Sequence, residues 1–151
     1  MRTVVKPPVC TNLKLRQLNR LVTRHYDPFV ASAGLRNTQY QLLTHLAVLS
    51  PIRPSDLAQR MHLEASTLTR NLKPLVAHGW VEIGPGEDAR SRLIELTDAG
   101  RAKRAEGERA WKRAQVALNE LLGPERIAAL HDLIDECIEC LDDGSSELGG
   151  E

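Results

Sequence analysis

The most informative part of the chain is residues 65–97, which have the sequence ASTLTRNLKPLVAHGWVEIGPGEDARSRLIELT. From Ala65 to His78 the apolar residues recur at the three- and four-residue steps of an amphipathic helix. Gly79 supplies the left-handed residue that ends such a helix. Residues 80–83 and 93–96 then alternate like strands around a turn rich in glycine and proline. The stretch therefore predicts a helix followed at once by a β-hairpin.

Helical periodicity also surrounds this stretch on both sides. It predicts helices from Thr11 to Pro28 or Gly34, from Asn37 to Leu49, from Pro54 to Met61, from Asp98 to Leu122 and from Pro124 to Leu141. Asn37 is expected to cap the second helix and Thr97 the long helix, since both side chains can accept a backbone hydrogen bond. Four helices, a hairpin and two more helices indicate a mainly α (α+β) chain with a winged helix-turn-helix.

Charge is unevenly distributed along a chain that is neutral as a whole, with 20 Lys+Arg and 20 Asp+Glu in 151 residues. Residues 1–113 contain 19 basic and 10 acidic side chains, whereas residues 114–151 contain one basic and 10 acidic side chains. This division indicates a body that binds a polyanion and an acidic terminal element, or else charged helical faces that are only solvated. Aromatic residues make up 3% of the chain, too few for a single-strand stacking platform.

Several other protein classes are excluded by what the sequence lacks. No apolar run is long enough to span a membrane, and residues 1–11 lack the apolar core of a signal peptide, so a soluble, cytoplasmic protein is expected. No catalytic or nucleotide-binding motif is present, which argues against an enzyme and against a cofactor. No metal site is expected, because Cys137 and Cys140 have no second ligand pair at suitable spacing.

The helix from Ala65 to His78 has the residue types of a helix that binds the major groove. Its outward arc carries hydroxyl, amide and cationic side chains and no acid, although a polar solvated face is the simpler alternative. The hairpin tip adds an arginine that can enter a minor groove, with an acid able to hydrogen-bond its guanidinium. The predicted DNA contacts are Ser66, Thr67, Thr69, Arg70, Asn71 and Lys73 on the helix, and Asp88, Arg90 and Arg92 on the wing.

Residues 66–72, 79–81 and 88–100 together resemble the MarR family of bacterial transcriptional regulators. The D-x-R wing that leads into an L-T-x-x-G helix start is the most specific part of the resemblance, which covers about residues 10–142. Arg53 departs from the pattern, because the family often has a Ser or Thr cap there. The resemblance implies a homodimer, with the helix from Ala65 as recognition helix and Arg90, buttressed by Asp88, as the minor-groove arginine.

The resemblance also assigns a role to each segment. Residues 1–34 would form an N-terminal dimerisation helix, 35–97 the DNA-binding lobe, 98–142 the C-terminal dimerisation helices, and 143–151 a flexible acidic tail. In the implied dimerisation layer, one apolar stripe packs on the first helix of the other subunit, and the two recognition helices lie ~34 Å apart on a pseudo-palindromic operator. The two apolar sets are Ile127, Leu130, Ile134 and Leu141 on the last helix, and Leu13, Leu18 and Leu21 on the first.

Two release mechanisms follow from the resemblance. The first is a small aromatic or anionic effector, bound between the helical dimer layer and the DNA-binding lobe. The polar groups on the first two helices that could orient it are Arg24, His25, Tyr26, Tyr40 and His45, although Tyr40 could equally be a core residue.

The second mechanism is oxidation that joins Cys10 to Cys137 or Cys140 of the partner. Against it, Asn37 stands where the peroxide-sensing branch of the family has a second tyrosine. The simpler alternative is that Cys137 is a small core residue, Cys140 half-exposed and Cys10 part of a disordered end.

The sequence thus predicts a dimeric, sequence-specific regulator of double-stranded DNA, a repressor released by a small effector. The alternatives are a thiol-based redox sensor and a helical adaptor that binds only protein.

Overall fold

A computed structural model describes residues 9–88 and 90–148 of the chain, with side chains as far as residue 144. Within these ranges the chain forms six helices and two strands. The helices are α1 (Thr11–Ala31), α2 (Asn37–Leu49), α3 (Pro54–Arg60), α4 (Ala65–Ala77), α5 (Asp98–Leu122) and α6 (Pro124–Leu148), and the strands are β1 (Val81–Pro85) and β2 (Arg92–Leu96). The predicted order of elements is confirmed.

Three helix ends differ from the sequence-based expectation. Helix α1 continues through Pro28 to Ala31. Helix α2 is capped one residue earlier than expected, because Arg36 rather than Asn37 is the N-cap, and its backbone N–H donates to Oε1 of Gln39 at 2.9 Å. Helix α6 runs to Leu148 instead of giving way to a flexible tail at residue 143, since its helical hydrogen bonding persists through Gly144. Residues 149–151 of the predicted tail, and residues 1–8 of the predicted first segment, lie outside the described residues.

The chain divides into two compact units, Met1–Lys112 and Arg113–Glu151, and the division falls within α5. The core of the first unit is built from the inward faces of α2, α3, α4 and the hairpin. Its largest fully buried side chains are Val30, Leu42, Leu43, Leu46, Leu57, Leu68, Leu75, Val81 and Ile94. Val76 of α4 is 42% exposed, because it lies at the margin of the apolar arc formed by Leu68, Leu72 and Leu75. Packing of apolar faces therefore fixes α4 on the body of the first unit.

The hairpin is the wing, and it joins the helices at two places. β1 and β2 pair antiparallel from Val81–Leu96 to Pro85–Arg92. Ile52, which precedes α3, adds a short bridge to Ile94, with N···O distances of 3.1 and 2.8 Å in the two directions. The wing is therefore tied through the backbone to the helix-turn-helix.

Thr97 and Gly100 connect the wing to the start of α5. The Thr97 hydroxyl donates to the carbonyl of Gly79 at 2.7 Å and accepts from the N–H of Gly100 at 3.0 Å, which confirms the predicted cap. A Cβ on Gly100 would collide with the carbonyl oxygen of Trp80. The threonine and the glycine of the L-T-x-x-G pattern are thus both required by this close approach.

The second unit contains the end of α5, a left-handed turn at Gly123 (φ 84°) and α6. Much of its apolar surface is uncovered in the single chain, although Ile127 is buried. The exposed large side chains of this unit are Val116, Leu121, Leu133, Ile134, Ile138 and Leu141. Among the described residues, no helix combines the length and the apolar character that a membrane span needs.

Candidate nucleic-acid interface

The outward face of α4 is polar and carries no acidic residue. Its inner face is anchored by Leu68, Leu72 and Leu75, which are all buried. The predicted contacts on the opposite side are Ser66, Thr69, Arg70 and Lys73, which are exposed, and Thr67 and Asn71, which are half-buried. Hydroxyl, amide and guanidinium groups of this kind can bind base edges and phosphates in a major groove.

Two of these predicted contacts, Thr69 and Asn71, are less available to bind DNA than the others. The Thr69 hydroxyl donates to the carbonyl oxygen of Ala65 at 3.0 Å, so its proton is used within α4 and its lone pairs remain as acceptors. Asn71 lies at the edge of the face, where it lines a cleft that also contains Arg36 and Arg70. Glu64 occupies the N-cap position of α4 without a capping hydrogen bond from its side chain, so it is a cap by backbone geometry only.

The wing begins directly after α4, because the N–H of Trp80 donates to the carbonyl of Leu75 at 3.0 Å and α4 packs on β1. Gly79 has a φ of 74° and makes this turn possible. Arg90 and Arg92 are both exposed at the tip and on β2. The acid-free helix and the two wing arginines therefore lie in one structural unit.

The role predicted for Asp88 requires correction. Its Oδ1 atom accepts from the backbone N–H of Arg90 at 3.0 Å and from that of Ser91 at 2.8 Å, rather than from the Arg90 guanidinium. The carboxylate is short, so it bonds to the nearest backbone donors in the turn. Asp88 therefore shapes the turn from which Arg90 projects and does not hold the arginine side chain itself.

Electrostatics at the wing tip involve a residue for which the sequence suggested no such role. The pKa of Asp88 lies below its ordinary value, because of the backbone hydrogen bonds from Arg90 and Ser91 and, as a smaller cause, the positive charge of Arg53. Arg53 is the N-cap residue of α3 and makes no side-chain cap there. Its proximity to the wing depends on the Ile52–Ile94 bridge, a long-range pairing for which the local sequence has no pattern.

The five predicted effector residues lie in different environments in the single chain. Tyr40 is 6% exposed and stacks on Trp111 with ring centroids 6.4 Å apart, so it is a core residue. His25 packs against Tyr26 and Phe29 within α1, and burial raises the pKa of Tyr26. Arg24 is exposed.

His45 lines a different cavity of about 380 Å³ together with Thr44, Val48, Leu49 and Arg60. Its Nδ1 atom lies 2.8 Å from the carbonyl oxygen of Gln41, which orients the ring. No other member of the predicted effector set lines this cavity.

The three cysteines are free and exposed in the single chain. Cys137 lies on α6 three residues after Ile134 and four before Leu141, which are likewise exposed in the single chain. Cys10 is the N-cap of α1, where its Sγ accepts from the N–H of Leu13 at 3.4 Å. Within the described ranges, no three His, Cys, Asp or Glu side chains form a group able to hold a metal ion.

The uneven charge coincides with the division into units. Met1–Lys112 contains 18 Lys+Arg and 10 Asp+Glu, whereas Arg113–Glu151 contains two Lys+Arg and 10 Asp+Glu. The unit that holds α4 and the wing is thus the cationic one, which suits it to a polyanion.

Comparison with known proteins agrees with the family resemblance of the sequence motifs. A sequence model of the MarR family matches residues 33–91. The uncharacterized HTH-type transcriptional regulator YwoH of Bacillus subtilis is 30% identical over 90 residues, which are 60% of this chain and 66% of that protein. YdgJ of the same organism, also an uncharacterized HTH-type transcriptional regulator, is 36% identical over 76 residues, which are 50% of this chain. The chain spans 46% of the length of YdgJ.

Solved structures extend the similarity over most of the chain. The transcriptional regulator MosR of M. tuberculosis, crystallised in complex with DNA, has a TM-score of 0.74 and 30% identity, and the match covers 87% of this chain and 98% of MosR. A cysteine-to-serine mutant of MarR from E. coli, complexed with operator DNA, has a TM-score of 0.76 at 23% identity, covering 83% and 91% of the two chains, and shows the shared fold. The fold, the wing motif and these similarities establish that the chain belongs to the MarR family of transcriptional regulators.

Proposed function

We propose that the chain is a homodimeric repressor that binds double-stranded DNA at a pseudo-palindromic operator. The observation that carries the proposal is the exposed, acid-free face of α4, which lies beside a wing bearing Arg90 and Arg92. Helix α4 would enter the major groove, and its hydroxyl, amide and cationic side chains would bind base edges and phosphates. MosR and MarR, which share this fold, were both crystallised with DNA, and this supports the assignment.

The wing would supply the contact to the adjacent minor groove. Arg90 projects from a turn that the Asp88 carboxylate holds through two backbone hydrogen bonds, so its starting direction is set before DNA is bound. A narrow minor groove attracts an arginine because its potential is more negative than that of the rest of the duplex. The contact would increase the affinity of the protein for many DNA sequences, while α4 would discriminate among those sequences.

Dimerisation is supported by apolar surface that a single chain leaves uncovered. On α1, Leu13, Leu15 and Leu21 are 52%, 53% and 61% exposed. On α6, Leu133 and Leu141 are 60% and 75% exposed. Patches of this kind on a water-soluble domain mark an interaction surface, and a second copy would cover both. Two copies would also present two recognition helices about one DNA turn apart.

Release of DNA by a small aromatic or anionic effector completes the proposed function. The alternative release mechanism is a disulfide from Cys10 to Cys137 or Cys140 of the partner, formed as peroxide oxidises the two thiols. Its support is that all three thiols are free and exposed in the single chain. If peroxide leaves the DNA affinity unchanged while all three thiols still titrate, the redox alternative fails.

Selection of bound sequences from a random DNA pool tests the function as a whole. We expect enrichment of an inverted repeat, and an affinity that falls steeply with salt because several phosphates are neutralised. A matched variant with Arg70, Lys73 and Arg90 all changed to Ala should enrich nothing. Absence of enrichment by the unaltered dimer would instead favour the protein-binding adaptor.

A further inference from the structure

Arg53 lies at the junction between the helix-turn-helix and the wing. It is the N-cap residue of α3, with an extended backbone (φ −70°, ψ 144°), and its side chain forms no capping hydrogen bond. Helix α3 packs against both α4 and β2. Arg53 therefore belongs to the part of the fold that connects the two predicted DNA-binding elements.

The backbone pairing at Ile52 sets the direction in which this segment runs. Ile52 pairs with Ile94 in an antiparallel bridge. The chain from Ile52 to Arg53 therefore runs toward the lower-numbered end of β2, where Arg92 begins the strand next to the wing tip. Ile52 packs against the core whereas Arg53 is exposed, because successive side chains of an extended segment point to opposite faces. The Arg53 side chain thus points away from the core, beside the wing.

The positive charge of Arg53 is not neutralised by a direct ion pair. In the described part of the chain its guanidinium pairs with no carboxylate, although Asp56 lies in the first turn of the same helix. Asp88 is near enough that its pKa, which is lowered first by the backbone hydrogen bonds from Arg90 and Ser91, is lowered further by the charge of Arg53. The guanidinium can therefore still bind an anion close to the wing tip.

The neighbouring elements determine which part of a duplex would face Arg53, and this step rests on the proposed function. With α4 in a major groove and the wing in the adjacent minor groove, the first helix of the helix-turn-helix crosses the sugar-phosphate backbone between them. That first helix is α3. A guanidinium suits a phosphate because its planar fork of N–H donors can bond two oxygens at once.

We propose that Arg53 binds a DNA phosphate between the two grooves, and so joins the contact made by α4 to the contact made by the wing. The contact adds affinity for any duplex, since the phosphates carry no sequence information. Arg53 also occupies a position where another residue type would stabilise the protein more. A Ser or Thr there would accept a hydrogen bond from the first turn of α3. Residue 53 thus favours DNA affinity over the stability of α3.

The test measures the affinity of the full chain for a duplex selected from a random pool, at several salt concentrations. Arg53→Ala should weaken binding about fivefold to tenfold for that duplex and for its base variants alike, and should reduce the slope of log affinity against log salt by about 0.9. Arg53→Lys, which keeps the charge without the planar fork, should lose less affinity. The matched control is Arg60→Ala, an exposed arginine in the last turn of α3, which should bind as the unaltered chain does.

A neutral methylphosphonate, placed at one phosphate of the duplex at a time, locates the contact. At one position it should weaken the unaltered protein and Arg60→Ala but not Arg53→Ala, because Arg53→Ala has already lost that contact. Arg90→Ala should remain sensitive at the same position. If Arg53→Ala stays sensitive at every position that affects the unaltered protein, the proposal is wrong.

Two further variants separate a direct contact from an indirect effect. If Arg53 acted only through the carboxylate of Asp88, its removal would have no further effect in Asp88→Ala, whereas a phosphate contact predicts the same loss in both backgrounds. Arg53→Ser should unfold at a higher temperature than Arg53→Ala through its new cap, and yet should bind DNA as weakly. Such a result would show that the lost affinity does not come from a less stable α3.

The outcomes also distinguish this proposal from the proposed function. Salt-dependent binding of a selected duplex, with Arg53→Ala equal to Arg60→Ala, would overturn the phosphate contact and leave the proposed function standing. A loss in Arg53→Ala that is confined to one base position would make Arg53 a base contact and would also overturn the proposal. If the unaltered chain enriches no duplex, the proposed function and the phosphate contact both fail.

Discussion

Oδ1 of Asp88 lies 2.8 Å from the backbone nitrogen of Ser91, and the same oxygen accepts from the N–H of Arg90 at 3.0 Å. One carboxylate oxygen thus closes the tip of the wing. The Ser91 carbonyl completes the turn by accepting from the N–H of Gly86 at 2.8 Å. The direction in which Arg90 leaves the wing therefore depends on an acid that repels DNA phosphates and nevertheless supports the basic residue.

Removing this carboxylate should weaken DNA binding although a negative charge is lost. We expect Asp88→Ala to loosen the turn and to lower operator affinity at least fivefold, measured by fluorescence anisotropy. Asp88→Asn should lie between Asp88→Ala and the unaltered protein, because its amide oxygen can still accept from the two N–H groups. Tighter binding by Asp88→Ala would show that charge repulsion outweighs the support of the turn.

The turn should also respond to pH in a defined direction. The pKa of Asp88 is lowered from 3.8 by the hydrogen bonds to its charged form, so their contribution is complete above about pH 4 and is lost as pH falls through the lowered pKa. The Ser91 amide should therefore exchange faster with solvent, after correction for the intrinsic rate, only below about pH 4. Asp88→Asn should abolish this pH dependence, and a change centred near neutral pH would contradict the assignment.

Replacing Arg70 and replacing Arg90 should weaken DNA binding in different ways. Arg90→Ala should weaken binding to all DNA sequences by a similar factor, whereas Arg70→Ala should also relax the preference at one base position. Each substitution should cost about 1–3 kcal/mol of binding free energy. Selection from a random pool, followed by titration at several salt concentrations, measures both effects. An Arg70→Ala protein with unchanged base preference would remove Arg70 from the set of base contacts.

Gly100 should tolerate no side chain. A Cβ there would collide with the Trp80 carbonyl, so Gly100→Ala should lower the free energy of unfolding by about 1–3 kcal/mol, as overpacking does. Gly144→Ala is the matched control, because a Cβ at that helical glycine meets nothing within 4 Å and alanine favours a helix. Chemical denaturation should place the two variants on opposite sides of the unaltered protein.

Charges on the uncovered apolar surfaces should dissociate the dimer. We expect Leu21→Glu on α1 or Leu141→Glu on α6 to give monomers in light scattering, since a dimer would bury the carboxylate. Val48→Glu is the control, because Val48 is 81% exposed on α2 and lies outside both surfaces. Monomers that retain full operator affinity would disprove the need for a dimer.

Tyr40 should affect stability rather than effector binding. Its ring is buried beside Trp111 and against the backbone of Gly107, where an added Cβ would approach the ring to 2.6 Å. Tyr40→Ala should cost about 3–5 kcal/mol of unfolding free energy, the usual cost of emptying an aromatic site. Tyr40→Phe, which keeps the ring, should remain folded and release DNA normally.

Short sequence patterns were sufficient to predict much of the fold of this protein. The apolar steps from Leu68 to Leu75, the stop at Gly79 and the cap at Thr97 predict α4, the wing and the start of α5, because helix periodicity, turns and caps depend on residues within a few positions. The polar outward face of α4 follows from the same periodicity. The family resemblance rested on these same local patterns.

Other properties arose from contacts between residues far apart in the chain. Local spacing could not show that Tyr40 would meet Trp111, that Ile52 would bring Arg53 toward Asp88, or that Arg36 and Arg70 would line one cleft. Each depends on how apolar faces pack, which sets the distance between side chains that are 34 or more positions apart. The helices and the residue types on the outward face of α4 were therefore predictable from the local sequence. The cleft and the support of the wing were decided only by tertiary packing, because they join residues that are distant in the chain.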